Sequence, residues 1–223
     1  MQLLFRGALP RIRAVLFDMD GLLIDSERLA QRSCLQAGHE LGYPIDESVT
    51  RRLLGCTHEE CERIIYEALP GVDVLDYFKR SKRMLDESFP KELKAKPGAV
   101  TFVSWLSRHG IPYALASSST RERIVQSLSI TGLASLFPVC LTGEDAAYSK
   151  PEPDLFLAAA ARLGVSPRDC LVLEDSVNGI KAGRAAGSFV CMIPDIIPYS
   201  SSLAPWCDAV ADSLEELPGP FLF

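Results

Sequence analysis

An α/β protein is expected from this chain of 223 residues: a doubly wound, parallel Rossmann-like sheet with an inserted all-helical cap domain. Three patterns predict it. An apolar run of strand type, Val15-Leu16-Phe17, ends abruptly in Asp18-Met19-Asp20-Gly21. Helical spacing alone then holds to about residue 94. From residue 98 helix and strand patterns alternate, which implies β-α units and a parallel sheet. The sheet domain is therefore expected over 1–23 and 95–223, and the helical domain over 24–94 as an insertion after the first strand.

In the helical block, Ala30, Cys34, Ala37 and Leu41 recur at helical spacing, as do Cys61, Ile64, Ile65 and Ala68, and then Val74, Tyr77, Phe78 and Leu85. Thr57-His58-Glu59-Glu60 has the form of a capping box with Thr57 as N-cap. Pro90, the lysine-rich stretch 91–96 and Pro97-Gly98 read as a linker and a breaker. After it, Ala99, Phe102, Val103 and Leu106 share a helix face that stops at Gly110. The strand Pro112 to Ala116 follows and ends in Ser117-Ser118-Ser119. A helix through Ile124, Val125 and Leu128 leads to a strand near Val139 to Leu141. Beyond a loop holding Lys150-Pro151-Glu152-Pro153, a helix carries Phe156, Ala159, Ala160 and Leu163. The strand Cys170 to Leu173 ends in Glu174-Asp175, and a helix with an early Gly179 leads to the strand Phe189 to Ile193.

Composition narrows the function classes. A net charge of -6 gives no basic surface for nucleic acid and no polybasic arm for a membrane. Arg6, Arg11 and Arg13 break the apolar N-terminal stretch, so no signal sequence is read there, and no run reaches the ~18 apolar residues of a membrane span. A cytoplasmic protein is expected, and nothing demands more than a monomer. The seven cysteines are scattered without metal-binding spacing, and Cys170 and Cys191 fall in apolar runs where a buried thiol is the simpler reading.

Ligands of an open α/β sheet bind at the carboxyl ends of its strands, and the polar residues there carry the chemistry. Asp18 and Asp20, spaced i and i+2 on extended backbone, face the same space. By itself such a pair is also what a strand-to-turn junction selects. Glu174 and Asp175 end a later strand, so four carboxylates converge, and they repel unless a cation compensates. Magnesium suits a few carboxylates plus water and a substrate phosphate better than zinc or calcium does. Lys150, the Ser117 hydroxyl, Ser118 and the helix N-terminus after Ser119 add donors for an anion. Together they describe a phosphoryl site. Phosphate-monoester hydrolysis needs up to ~10²¹-fold acceleration, which calls for the full set and not for one aspartate.

These residues resemble the haloacid dehalogenase superfamily of phosphohydrolases, in the branch with a helical cap after the first motif and nearest its β-phosphoglucomutase-like and pseudouridine-5′-phosphatase-like members. The motifs are Asp18-Met19-Asp20-Gly21, Ser117, Lys150-Pro151-Glu152-Pro153-Asp154 and Glu174-Asp175-Ser176, in the family's order. The resemblance implies that Asp18 is the nucleophile and Asp20 the general acid/base, with Ser117 and Lys150 holding the phosphoryl group. It implies Mg²⁺ bound by Asp18, the Asp20 backbone carbonyl and Asp175, with Glu174 close by or acting through water. Dehalogenases of the family lack the second aspartate, so Asp20 argues for phosphate esters. Gly55, Thr57 and His58 match the family's specificity loop. Ala30 and His58 stand where the mutases carry a histidine and an arginine, which favours a phosphatase of small phosphorylated metabolites over a sugar-phosphate mutase. A phospho-accepting receiver module shares the aspartate, hydroxyl and lysine but has no helical insertion.

Plainer readings hold elsewhere. Thr57 and Glu60 read as a cap, and His39 and His109 suit helix ends. Lys79, Arg80, Lys82 and Arg83 read as a solvated helix face. An X–Pro bond permits a cis Lys150–Pro151 peptide, which is the expectation here.

Overall fold

The computed structural model describes residues 2–4, 11–54, 56, 58–219 and 221, leaving aside the side chains of Leu3 and His58. The strands are β1 (Gln2–Leu3), β2 (Ala14–Phe17), β3 (Tyr113–Ala116), β4 (Cys140–Leu141), β5 (Cys170–Glu174), β6 (Phe189–Met192) and β7 (Ala209–Val210). The helices are α1 (Ser26–Glu40), α2 (Glu47–Arg51), α3 (His58–Ala68), α4 (Val74–Glu92), α5 (Ala99–Arg108), α6 (Arg121–Thr131), α7 (Asp154–Leu163) and α8 (Val177–Ala185). The chain forms two compact units, one from residues up to Ile24 and from Lys94 onward, the other from Asp25–Leu93.

The sheet of the first unit has the order β1-β7-β6-β5-β2-β3-β4. β2 to β7 run parallel, and β1 pairs antiparallel with β7 at one edge. From β2 the chain steps outward to β3 and β4, then returns to the other side of β2 to lay down β5, β6 and β7. The strand order therefore reverses between β2 and β5, which is where an open sheet of this kind leaves a crevice at the strand ends. Neither β1 nor β7 is read from the sequence; each has only two residues.

Alternation along β2 explains the two-sided packing. Ala14 and Leu16 join Leu155, Phe156 and Ala159 of α7 and Ile180 and Ala182 of α8 in one buried cluster. Phe17 turns to the opposite face, with its ring 5.9 Å from Phe102 of α5 and 5.6 Å from Phe137. Burial on both faces is why β2 and β5 read as unbroken apolar runs. On α6, Ile124 and Leu128 are buried, while Val125 is 63% exposed.

In the second unit, Ala37, Ile45, Ile65, Leu69, Val72, Tyr77 and Met84 form a separate core. The buried Tyr77 donates its hydroxyl to the Cys34 carbonyl at 2.9 Å. α2 is too short to show a period and is started instead by Asp46, whose side chain accepts from the Ser48 N–H at 2.7 Å. Thr57, the expected N-cap of α3, lies outside the described residues. Arg80 and Arg83 pair with Glu40, and Arg80, Lys82 and Arg83 also pair with acids one turn away on α4. Acids of the same unit thus satisfy these three cations, as a solvated face requires.

The stretch expected to be a linker is more ordered than that. α4 runs through Pro90 to Glu92, since a proline near the last turn costs one hydrogen bond while Phe89 and Leu93 on either side of it are buried. Ala95 then bridges Ile24, the Lys96 N–H donates to the Leu23 carbonyl at 2.9 Å, and the Lys96 ammonium meets Asp195 at 2.6 Å. The break comes at Gly98, which takes φ +82° just before α5. The described residues include no helix long and apolar enough to cross a membrane. All seven cysteines are free, with Cys170, Cys191 and Cys207 buried. The Lys150–Pro151 peptide is cis, as expected, and so is Leu217–Pro218.

Candidate active site

Three strand ends of the first unit and the loop before α7 bring the predicted side chains to the crevice between β2 and β5. Asp18 follows β2 directly, and its N–H donates to the Leu173 carbonyl of β5 at 3.1 Å, which holds the aspartate at the switch point. Ser117 follows β3 and is buried. Glu174 ends β5 and Asp175 follows it, both buried. Lys150 reaches in from the loop before α7 with its side chain 7% exposed.

The lysine organises the centre. Its ammonium donates to Asp18 Oδ1 at 2.5 Å, to Glu174 Oε1 at 2.7 Å and to the Ala116 carbonyl at 3.0 Å. All three ammonium hydrogens are thereby directed. The Phe156 ring lies 4.7 Å away, adding a cation–π contact to the buried ammonium. Burial works against the charged form of Lys150, yet the charges of Asp18 and Glu174 outweigh it and hold its pKa above the ordinary lysine value. Asp18 is pushed the other way from a usual ion-paired carboxylate. Burial raises its pKa well above the ordinary 3.8, and the charges of Glu174 and Asp20 add to that against the pull of Lys150.

Glu174 is fixed from its other side as well. Its Oε2 accepts from the N–H groups of Asp175 and Ser176, each at 3.0 Å, and from the Ser176 hydroxyl at 2.9 Å. Ser176 in turn N-caps α8 by accepting from the Gly179 N–H at 3.0 Å. The early glycine of that helix now has a reason: a Cβ at residue 179 would fall on the Glu174 carboxylate. Gly179→Ala raises helix propensity by about 0.5–1 kcal/mol, yet it must displace a carboxylate held by four donors. The expected net result is destabilisation of about 1–3 kcal/mol, read as a lower urea midpoint with an unchanged slope. A raised midpoint would contradict the packing. Gly21 plays the matching part on the other side of the crevice, where φ +81° suits only glycine and a Cβ would strike the Asp175 carboxylate.

Asp18, Glu174 and Asp175 each offer an oxygen within 4.8 Å of the others, the only such group of possible metal ligands among the described residues. With all three carboxylates ionised and Lys150 beside them, these side chains would set three negative charges against one positive. Hard oxygen donors with a net charge of -2 are what a divalent ion such as Mg²⁺ takes. The Asp20 carboxylate stands outside this group. Its Oδ2 accepts from the Ser119 hydroxyl at 2.9 Å, and the Ser119 N–H donates to Ser117 Oγ at 3.1 Å.

Ser117 therefore lies among the site residues, while Ser118 is exposed on the turn, its backbone against Gly143. Gly55 and Thr57 lie outside the described residues. His58 begins α3, and its side chain is likewise not described. Ser119, the Ala116 carbonyl and Gly179 are site features that the sequence left without a role. For Ser119 the signal was only a run of three serines, which distinguishes none of them.

A model of the haloacid dehalogenase-like hydrolases matches residues 12–187. The bifunctional riboflavin kinase/FMN phosphatase of Arabidopsis thaliana is 34% identical over 204 residues, covering 91% of this chain and 54% of that protein. The chain thus spans about half the length of that relative. The phosphorylated carbohydrates phosphatase of Thermotoga maritima is 34% identical over 179 residues, covering 79% of this chain and 82% of that one. Among solved structures, a HAD family hydrolase from Deinococcus radiodurans with bound phosphate and sodium superposes with a TM-score of 0.79 at 27% identity, covering 93% of this chain and 94% of that one.

Proposed function

We propose, because the chain belongs to the haloacid dehalogenase-like hydrolase family, that it is a Mg²⁺-dependent phosphatase of small phosphorylated metabolites (a sugar, polyol or nucleoside phosphate) working through a phosphoaspartyl intermediate. The observation that carries this reading is the Lys150 ammonium bonded to both Asp18 and Glu174 at the strand-order reversal. That arrangement keeps a nucleophilic carboxylate next to a fixed positive charge in a buried site, where electrostatic stabilisation of a phosphoryl group is strongest.

Asp18 is the attacking carboxylate in this reading. The Ser117 hydroxyl donates to the phosphoryl oxygens and Lys150, whose hydrogens are already engaged, attracts them by its charge, with Ser118 expected to contribute at the same turn. Ser117 Oγ already accepts from the Ser119 N–H, so its own hydroxyl hydrogen is available to donate. Asp20 moves the proton: it protonates the leaving alcohol and later deprotonates the attacking water. Mg²⁺ would be held by Asp18, Asp175 and the Asp20 backbone carbonyl, with Glu174 beside it, and when bound it supplies charge neutralisation for the phosphoryl oxygens. The helical unit would act as the cap that selects substrate, with Gly55, Thr57 and His58 in its specificity loop.

Phosphate release from a panel of sugar, polyol and nucleoside monophosphates is expected with Mg²⁺ and is lost in EDTA. If no ester in the panel is hydrolysed with Mg²⁺ present, the phosphatase reading fails. The metal also links to pH. A proton and a divalent cation compete for Asp18, whose carboxyl is held high by burial. Mg²⁺ binding is therefore expected to release protons and to tighten as pH rises through that titration. Calorimetry in two buffers of different ionisation heat measures the release, and an affinity that does not change with pH would contradict it.

A further inference from the structure

We infer that Ser119 is a positioning residue for Asp20, fixing the general acid/base against the phosphoryl-holding serine; the inference rests on the phosphatase reading above. Three bonds within the first unit hold Ser119. Its N–H donates to Ser117 Oγ at 3.1 Å, its carbonyl accepts from the Gly143 N–H at 3.3 Å, and its hydroxyl donates to Asp20 Oδ2 at 2.9 Å. Gly143 approaches so closely that an added Cβ would stand 2.7 Å from the Ser118 carbonyl oxygen, so the turn carrying residues 117 to 119 is backed by main chain. The hydroxyl that meets Asp20 thus projects from a fixed turn, and the same turn carries the Ser117 hydroxyl.

The consequence is chemical. With Oδ2 accepting from Ser119, the Asp20 carboxyl is held in one orientation, and it is from that orientation that it serves the leaving group. In the first half-reaction an Asp18 oxygen forms a bond to phosphorus while the phosphorus–ester oxygen bond breaks. Its electron pair goes to the ester oxygen, which takes the Asp20 proton and leaves as alcohol. In the second, water attacks phosphorus and gives a proton to Asp20, and the phosphorus–Asp18 bond breaks with its electron pair returning to the carboxylate. Inorganic phosphate leaves and Asp20 is again protonated. A leaving alcohol needs that proton, whereas 4-nitrophenolate departs without it at neutral pH.

Ser119→Ala should therefore lower kcat/KM for the fastest sugar or polyol phosphate of the panel on the order of 10- to 100-fold more than for 4-nitrophenyl phosphate. kcat/KM reports the steps through alcohol release, so slow dephosphorylation of Asp18 does not mask the effect. Ser119→Thr keeps the hydroxyl and should restore the ratio. An equal loss on both esters, or no loss on either, overturns the positioning role and assigns Ser119 to the turn alone. Thermal melting of the variant beside wild type detects a folding defect, which would lower both rates together. If the wild-type protein hydrolyses neither ester, the phosphatase reading itself falls, and the inference with it.

Discussion

Asp18→Asn is expected to lower phosphate release by at least ~10⁴-fold while leaving a folded protein. The amide keeps the shape of the carboxylate but can neither attack phosphorus nor form an acyl phosphate, so no hydroxylamine-labile phosphoryl group should appear on the peptide carrying residue 18. Activity equal to wild type would remove Asp18 from the mechanism. The same substitution has a signed effect on stability. The folded-state pKa of Asp18 lies above its ordinary 3.8, chiefly through burial. Its contribution is therefore fully present below the unfolded-state pKa and is lost as pH rises through the raised value. In EDTA, Asp18→Asn should thus gain in melting temperature relative to wild type as pH increases from about 4 toward neutrality. Saturating Mg²⁺ should reverse that ranking, because the ion stabilises the charged carboxylate. A constant difference across pH in EDTA would contradict the assignment of burial as the cause.

Lys150→Ala should be the most damaging single change to the fold of the site. It removes the cation shared by Asp18 and Glu174, whose side chains are 11% and 1% exposed, and leaves both carboxylates buried without it. Breaking a buried pair in this way costs about 3–5 kcal/mol. Mg²⁺ should recover part of the loss by taking over the compensation, so the variant's melting temperature should depend on Mg²⁺ more steeply than that of wild type. Activity should fall by roughly 10²–10³-fold even with the metal present, since the positive charge beside the phosphoryl group is gone. Wild-type stability in EDTA would show that Lys150 is not what neutralises this cluster.

Much of this was legible in advance. Asp18, Lys150, Glu174 and Asp175 could be named because each sits at a change of pattern: an apolar strand breaks off into charge, or a lysine precedes two prolines. The parallel sheet was legible for the same reason, since β2, β5 and β6 are buried on both faces and read as unbroken apolar runs. The two-residue strands β1 and β7 leave no such trace, and a proline in the last turns of a helix reads as a stop when buried neighbours carry the helix past it. Helical spacing defines a stripe but not its width, so it does not show that Val125 is exposed beside the buried Ile124 and Leu128.

The amino-acid sequence by itself determined which charged groups the first unit carries at its strand ends and in what order they arrive, because charge at a strand end is a local feature. Only the tertiary structure decided who meets whom. It set Lys150 between Asp18 and Glu174, separated by 132 and 24 residues respectively. It kept Asp20 out of the carboxylate group and gave it Ser119 from 99 residues away. It also turned Gly179 from a helix-weakening residue into the space that the Glu174 carboxylate occupies. The physical reason is that spacing along one segment fixes which side a residue faces, while distance across the crevice depends on the register and crossing of segments that share no local pattern.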